Sequence, residues 1–181
     1  AAPLEIPPSW LWSVYTSGPV KDRDLLIREI RESGVPGLEW YVVTTDSDVS
    51  RLAGLTELRH LGLGGNQITD AGLMPLKGMT RLESLRLFWS PQVTDAGLVH
   101  LRSLSGLRSL DLRGPKLTDA GLVQLLDALP GLQELALLGP LITEKGLQHL
   151  QSLPGLRTLA LYNIPITNAG LQHLTSLRKL D

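Results

Sequence analysis

From Leu58 onward, apolar and polar residues alternate as Leu58-Arg59-His60-Leu61-Gly62-Leu63, the pattern of a short strand with one buried face. The same L-x-x-L-x-L starts again at Leu82, Leu107, Leu132 and Leu156, at spacings of 24, 25, 25 and 24 residues. A second phrase follows each strand: an apolar residue, Thr, then Asp, Glu or Asn, two residues ending in Gly, and Leu. It occupies Ile68 to Leu73, Val93 to Leu98, Leu117 to Leu122, Ile142 to Leu147 and Ile166 to Leu171. Repetition at this period predicts a solenoid, because one unit alone cannot bury its leucines and must stack on the next. The expected fold class is therefore α/β, with each strand joining a parallel sheet and each helix returning on the opposite side.

The second phrase reads as a helix start. Thr69, Thr94, Thr118, Thr143 and Thr167 stand where an N-cap belongs. Asp70, Asp95, Asp119 and Glu144 fall in the first turn, against the positive end of the helix. Pairs such as Leu73/Leu76 and Leu147/Leu150 would bury the helical side. Gly72, Gly97, Gly121, Gly146 and Gly170 recur inside that turn. Glycine costs up to about 1 kcal/mol in a helix, so its repetition points to close approach between stacked units.

From Leu58 to Leu180 the chain resembles the leucine-rich-repeat superfamily, and its I-T-D-A-G-L phrase resembles the repeats of F-box-associated and many bacterial leucine-rich-repeat proteins. The resemblance implies a curved horseshoe with strands on the concave face and helices on the convex face. It also implies a protein-interaction role, with the partner held on the concave face. One departure concerns the turn after the strand, where the familiar pattern has Asn. Only Asn66 keeps it; Pro91, Pro115, Pro140 and Pro165 lie nearby in the other units. Proline removes a backbone donor and so replaces part of the asparagine's task. No F-box-like segment stands at the N-terminus, so a ubiquitin-ligase adaptor role gains no support.

The two ends differ. Leu38 to Val43 fits the strand template with Leu38, Tyr41 and Val43 inward, which makes a first repeat some four residues short in its T-D-A-G segment; Val49, Leu52 and Leu55 supply its helical side. Val20 to Ser33 reads as a helix with Leu26, Ile27 and Ile30 buried, started by Asp22 and Asp24 and ended by Gly34, Pro36 and Gly37. Residues 1–37, with Trp10, Trp12 and Tyr15, are expected to form a cap over the first repeat. Residues 38–181 are expected to form the solenoid: one shortened repeat, five full ones and no C-terminal cap. The chain stops where another strand would begin, the pattern of a piece of a longer array.

Composition narrows the function classes. Seventeen Lys and Arg against 18 Asp and Glu give a net charge of −1, without the basic excess that nucleic acid or an anionic membrane would call for. No apolar run approaches the length of about 18 residues that spans a bilayer. With no cysteine, disulfides, thiolate metal sites and a cysteine nucleophile are excluded. His100, His149 and His173 share one repeat position, but two stacked histidines without a carboxylate or third ligand make a weak metal site. No G-x-S-x-G elbow, P-loop or H-E-x-x-H is present. A non-catalytic module without cofactor or metal is the expectation, with a protein as partner; oligomeric state and compartment are left open.

On the template, the residues between the inward leucines point to the concave face. Phe88 and Trp89 lie in the unit with one extra residue, so the loop should bulge at the strand's exit. Aromatics and arginines are typical interface anchors. Trp40, Arg86, Phe88, Trp89, Arg113 and Tyr162 are the expected partner-binding cluster, with Asp111 expected to pair with arginines across neighbouring strands. A structural or assembly subunit, joining through the cap or the open C-terminal edge, is the alternative.

Overall fold

A computed structural model of the protein describes residues 13–16, 23–41 and 44–180. Among the described residues seven parallel strands make one sheet in chain order: β1 (Ser13–Thr16), β2 (Gly37–Trp40), β3 (His60–Gly64), β4 (Ser84–Phe88), β5 (Ser109–Arg113), β6 (Glu134–Leu138) and β7 (Thr158–Tyr162). Pairing runs without slippage, so Leu61, Leu85, Leu110, Leu135 and Leu159 stand opposite one another across the sheet. Leu63, Leu87, Leu112, Leu137 and Leu161 form a second such row. Every leucine of the two rows from β3 to β6 is buried, while Leu159 and Leu161 are only partly so. Strand β1 is an addition that the alternation pattern did not predict. It pairs with β2 and widens the sheet by one strand.

The helical side is built of short pieces: α1 (Arg23–Ser33), α2 (Asp46–Arg51), α3 (Asp95–Leu98), α4 (Asp119–Ala128), α5 (Glu144–Gln148) and α6 (Asn168–Gln172). Except after α1 and α4, each runs on into a tighter 3₁₀ turn. Ala71–Gly78 is 3₁₀ throughout, with Pro75 inside, where the missing N–H could not join an α-helical ladder. The return path is thus tighter than the continuous helix expected in each unit. Its apolar residues still reach the core, for Leu73, Leu76, Leu147 and Leu150 are buried. In α1, Ile27 and Ile30 are buried, with Leu26 partly so, and the helix gives way at Gly34, whose φ of +63° is left-handed. Asp22, expected to favour the start of α1, lies outside the described residues, as do Trp10 and Trp12.

What joins unit to unit is the T-D-x-G phrase, and its carboxylate acts across the stack. The backbone N–H and hydroxyl of Thr94 both donate to Asp70 of the preceding unit, each at 2.7 Å. The same two bonds tie Thr69 to Asp46, Thr118 to Asp95 and Thr143 to Asp119, while Glu144 receives Thr167. Each Thr oxygen in turn accepts an N–H two residues on. Thr94, Thr118, Thr143 and Thr167 are the N-caps expected of them, while the 3₁₀ turn after Thr69 starts one residue later, from Asp70. The recurring glycine makes room for that carboxylate: a Cβ on Gly121 would lie 2.1 Å from Asp95 Oδ1, and one on Gly146 2.3 Å from Asp119 Oδ1. Asn66 is exposed, so no asparagine occupies the interior of the turn in that unit.

The first unit corrects the register expected for it. Leu38 pairs with Leu61, and Trp40 with Leu63, so Leu38 and Trp40 point inward. Thr45-Asp46-Ser47-Asp48-Val49 supplies the phrase thought to be missing, with Thr45 as N-cap and Val49 buried. Asp48 stands at the glycine position and is itself buried. Its carboxylate accepts the N–H and hydroxyl of Thr45 at 3.0 and 2.8 Å and pairs with Arg23 of α1. Arg23 also lies over the Trp40 ring, 5.9 Å from its centre. The Asp48–Arg23 pair therefore fastens α1 to the start of the stack.

Candidate binding surface on the outward strand face

Of the six residues expected to bind a partner, five lie on or beside the outward face of the sheet and one does not. Trp40 is 1 % exposed and belongs to the core. A three-residue error of register had placed it outward. The outward positions of its unit are Glu39, opposite Gly62 in the sheet, and Tyr41 just beyond the strand. Both take part in the surface, and neither was foreseen there.

The face is organised by stacking across strands. Tyr41 and Phe88 meet edge to face, with ring centres 5.1 Å apart and planes at 79°. Gly64, between them in the sheet, has no side chain to part them; its Cβ would lie 3.0 Å from Tyr41 Cα. The Arg113 guanidinium lies 4.6 Å from the centre of Phe88 and 4.8 Å from that of Tyr162, a cation held between two rings. Tyr41, Phe88, Arg113 and Tyr162 so form one continuous row from β2 to β7.

The charges beside the aromatic row are paired locally. Arg113 donates twice to Asp111 on its own strand, at 2.8 Å from both Nε and Nη2. The expected bridging of Asp111 to arginines across strands is thereby corrected, since the bidentate geometry is met within β5. Arg86 instead pairs with Glu39 at 3.5 Å, reaching across β3, where Gly62 leaves the way open. The Tyr41 hydroxyl donates to the same carboxylate. Burial, reinforced by that bond to Glu39, pushes the Tyr41 phenol up to about 12. The hydrogen bond to Asp111 raises the pKa of Arg113.

Trp89 departs from the regular pattern. Ser90 N–H donates to Arg113 O, as Gly114 N–H does to Leu138 O, so Ser90 occupies the position of Gly114 and Trp89 is the inserted residue. The insertion takes up a left-handed backbone with φ of +52°, a conformation unfavourable for a bulky side chain. The residue is 62 % exposed, and among the described residues its indole has no hydrogen bond or ring contact. Beside it lies an open recess of about 400 Å³ lined by Tyr41, Gly64, Gly65, Phe88 and Trp89. Ser90 is buried behind the bulge, and its hydroxyl has no hydrogen-bond partner. Among the described residues no group of three or more His, Cys, Asp or Glu side chains is placed to hold a metal ion, and no helix is long and apolar enough to cross a membrane.

A single parallel sheet in chain order, backed by short return helices at a period of 24 to 25 residues, defines an α/β repeat solenoid. The fold is that of a leucine-rich-repeat solenoid, and the chain is similar to leucine-rich-repeat proteins. The family model for the leucine-rich repeat matches residues 55–77. Among solved structures, an internalin C2 from Listeria monocytogenes superposes with a TM-score of 0.64 at 27 % identity, over 81 % of this chain and 59 % of that one. A second internalin of that species, inlF, gives 0.67 at 25 % identity, over 93 % of this chain and 45 % of the other. A chain of the yeast Rad7–Elc1 complex shares the fold at 17 % identity, with a TM-score of 0.51, over 87 % of this chain and 52 % of its own length. The chain thus spans less than two thirds of each of these structures. No curated protein matches the sequence. Proteins of this superfamily are typically non-catalytic interaction modules.

Proposed function

We propose that this chain is a recognition module that binds a protein partner on the outward face of its sheet, through Arg86, Phe88, Trp89, Arg113 and Tyr162 together with Tyr41. The observation that carries the reading is the Tyr41–Phe88–Arg113–Tyr162 row ending beside an exposed, conformationally strained Trp89. Aromatics and arginines are the residues that dominate interface energetics, and here they are fixed by one another before any partner arrives. Strain at a bulky exposed residue persists where something other than stability maintains it. No step of chemistry is assigned to the face, where Arg113 pairs with Asp111 and Arg86 with Glu39.

The test compares proteins retained from the source cell's lysate by the immobilised chain and by an Arg113→Glu/Tyr162→Asp variant that still folds. Retention that depends on these two residues is expected. Equal retention by both chains would place binding elsewhere. A second reading, a structural subunit joined through its β7 edge, draws on the half-exposed Leu171, whose counterparts Leu73, Leu98, Leu122 and Leu147 are buried. A solution mass above that of one chain, lost in Leu171→Glu, would favour it.

A further inference from the structure

The recess beside Trp89 has a distinct chemical character. Its walls are three aromatic rings, Tyr41, Phe88 and Trp89, and its floor is the side-chain-free backbone of Gly64 and Gly65. Gly65 has a φ of +144°, which side chains rarely tolerate, so the floor is suited to stay bare. At about 400 Å³ it sits at the small end of ligand sites, large enough for part of a peptide.

The charges beside it and the Gly64 carbonyl of its floor are already engaged. The Glu39 carboxylate receives Tyr41 and Arg86, and the Asp111 carboxylate receives Arg113. The Gly64 carbonyl accepts both the N–H and the hydroxyl of Thr44, at 3.3 and 2.6 Å. The indole N–H of Trp89 makes no bond, and indole nitrogen is a donor only. A matching ligand is therefore uncharged and apolar, with an acceptor for the indole.

Proline-rich chain meets each requirement. It has no backbone N–H, its carbonyls are free acceptors, and its flat rings pack on aromatic faces. It is also extended as polyproline II before it binds, so little conformational freedom is lost. An ammonium group fits less well, because Arg113 already occupies a face of Phe88. Strand addition is not offered here, since β3 is paired on both sides, by β2 and by β4.

We propose that the partner is recognised through a proline-rich, polyproline II segment seated in the Tyr41–Phe88–Trp89 recess, with the Trp89 indole donating to one of its carbonyls. The inference rests on the interaction reading above and assigns the class of its ligand.

The test is calorimetric titration of the full chain with decaproline, beside a glycine–serine peptide of equal length and tetramethylammonium. Saturable binding of decaproline alone is expected. Trp89→Gly should weaken it at least about tenfold, and Trp89→Phe, which keeps a ring but no donor, by less. Failure of decaproline to bind, equal binding of the glycine–serine peptide, or binding of tetramethylammonium in its place overturns the proposal. If decaproline fails while lysate capture still depends on Arg113 and Tyr162, the proline assignment alone falls. If capture is indifferent to both residues, the wider reading falls with it.

Discussion

Two edges of the same sheet are built on opposite principles. Where the chain turns into the helical side, Thr, Asp and Gly repeat from unit to unit, each carboxylate bridging to the next Thr across the space a glycine leaves. Where β4 ends, one unit inserts Trp89, adopts a left-handed backbone and buries a serine hydroxyl without a partner. Among the described residues the first edge leaves no buried side-chain oxygen or nitrogen without a partner, and it gains from regularity. The second tolerates strain and an unpaired hydroxyl while holding a large aromatic out to solvent. Regularity in this fold marks what holds the stack together, and its interruption marks where selection for something other than stability is to be sought.

Substitutions on the regular edge should have the largest effects. Gly121→Ala would drive a methyl into Asp95 and break the two bonds to Thr118, so a loss of about 3 kcal/mol is expected in urea unfolding. Gly78→Ala, where a Cβ meets nothing within 4 Å, should be neutral or slightly stabilising, as alanine for glycine in a helical segment ordinarily is. Equal losses at both sites would mean that the carboxylate bridge is incidental. Next in size is Asp95→Ala, which leaves the Thr118 N–H and hydroxyl without their acceptor, expected to cost about 2 kcal/mol by the same measurement.

On the irregular edge the sign reverses. Ser90→Ala removes a buried hydroxyl with no partner and should raise stability by about 1 kcal/mol; a loss would show that the hydroxyl is satisfied in solution. The smallest effect concerns Tyr41. Its folded-state pKa is raised, so the stability it contributes is present below the ordinary value of 10.0 and is lost as pH rises towards about 12. Phenolate absorbance should therefore show a component titrating late, which Tyr41→Phe abolishes. A full phenolate signal near the ordinary value would break the Tyr41–Glu39 contact from the account.

Much of the fold was legible because a repeat states its physics five times. The L-x-x-L-x-L spacing located β3 to β7, and Thr identified the caps, since each unit independently satisfies the same strand and N-cap chemistry. The partner of the Asp was not legible: a carboxylate early in a helix fits the helix dipole equally well, and nothing in one unit shows that it reaches the Thr of the next. The first unit was misread for a particular reason. Leu38, Tyr41 and Val43 satisfy the alternation as well as Val35, Leu38 and Trp40 do, and a shift of three reverses which side chains face out. Thr45 stands 24 residues before Thr69, and aligning those two would have placed Trp40 in the core and Tyr41 on the surface. The extra residue at Phe88-Trp89 did predict the bulge. The stacking of Arg113 between Phe88 and Tyr162 depends on side chains from three strands and could not be read from spacing.

Whether Trp89 is kept at a structural disadvantage for a use other than folding is decided by urea unfolding of Trp89→Gly beside the native chain. Glycine relieves the left-handed backbone at φ +52° and removes a side chain that is 62 % exposed. An unfolding free energy unchanged or raised by about 1 kcal/mol is expected. A fall of about 2 kcal/mol or more would show that the indole is packed as part of the fold, and would contradict the claim.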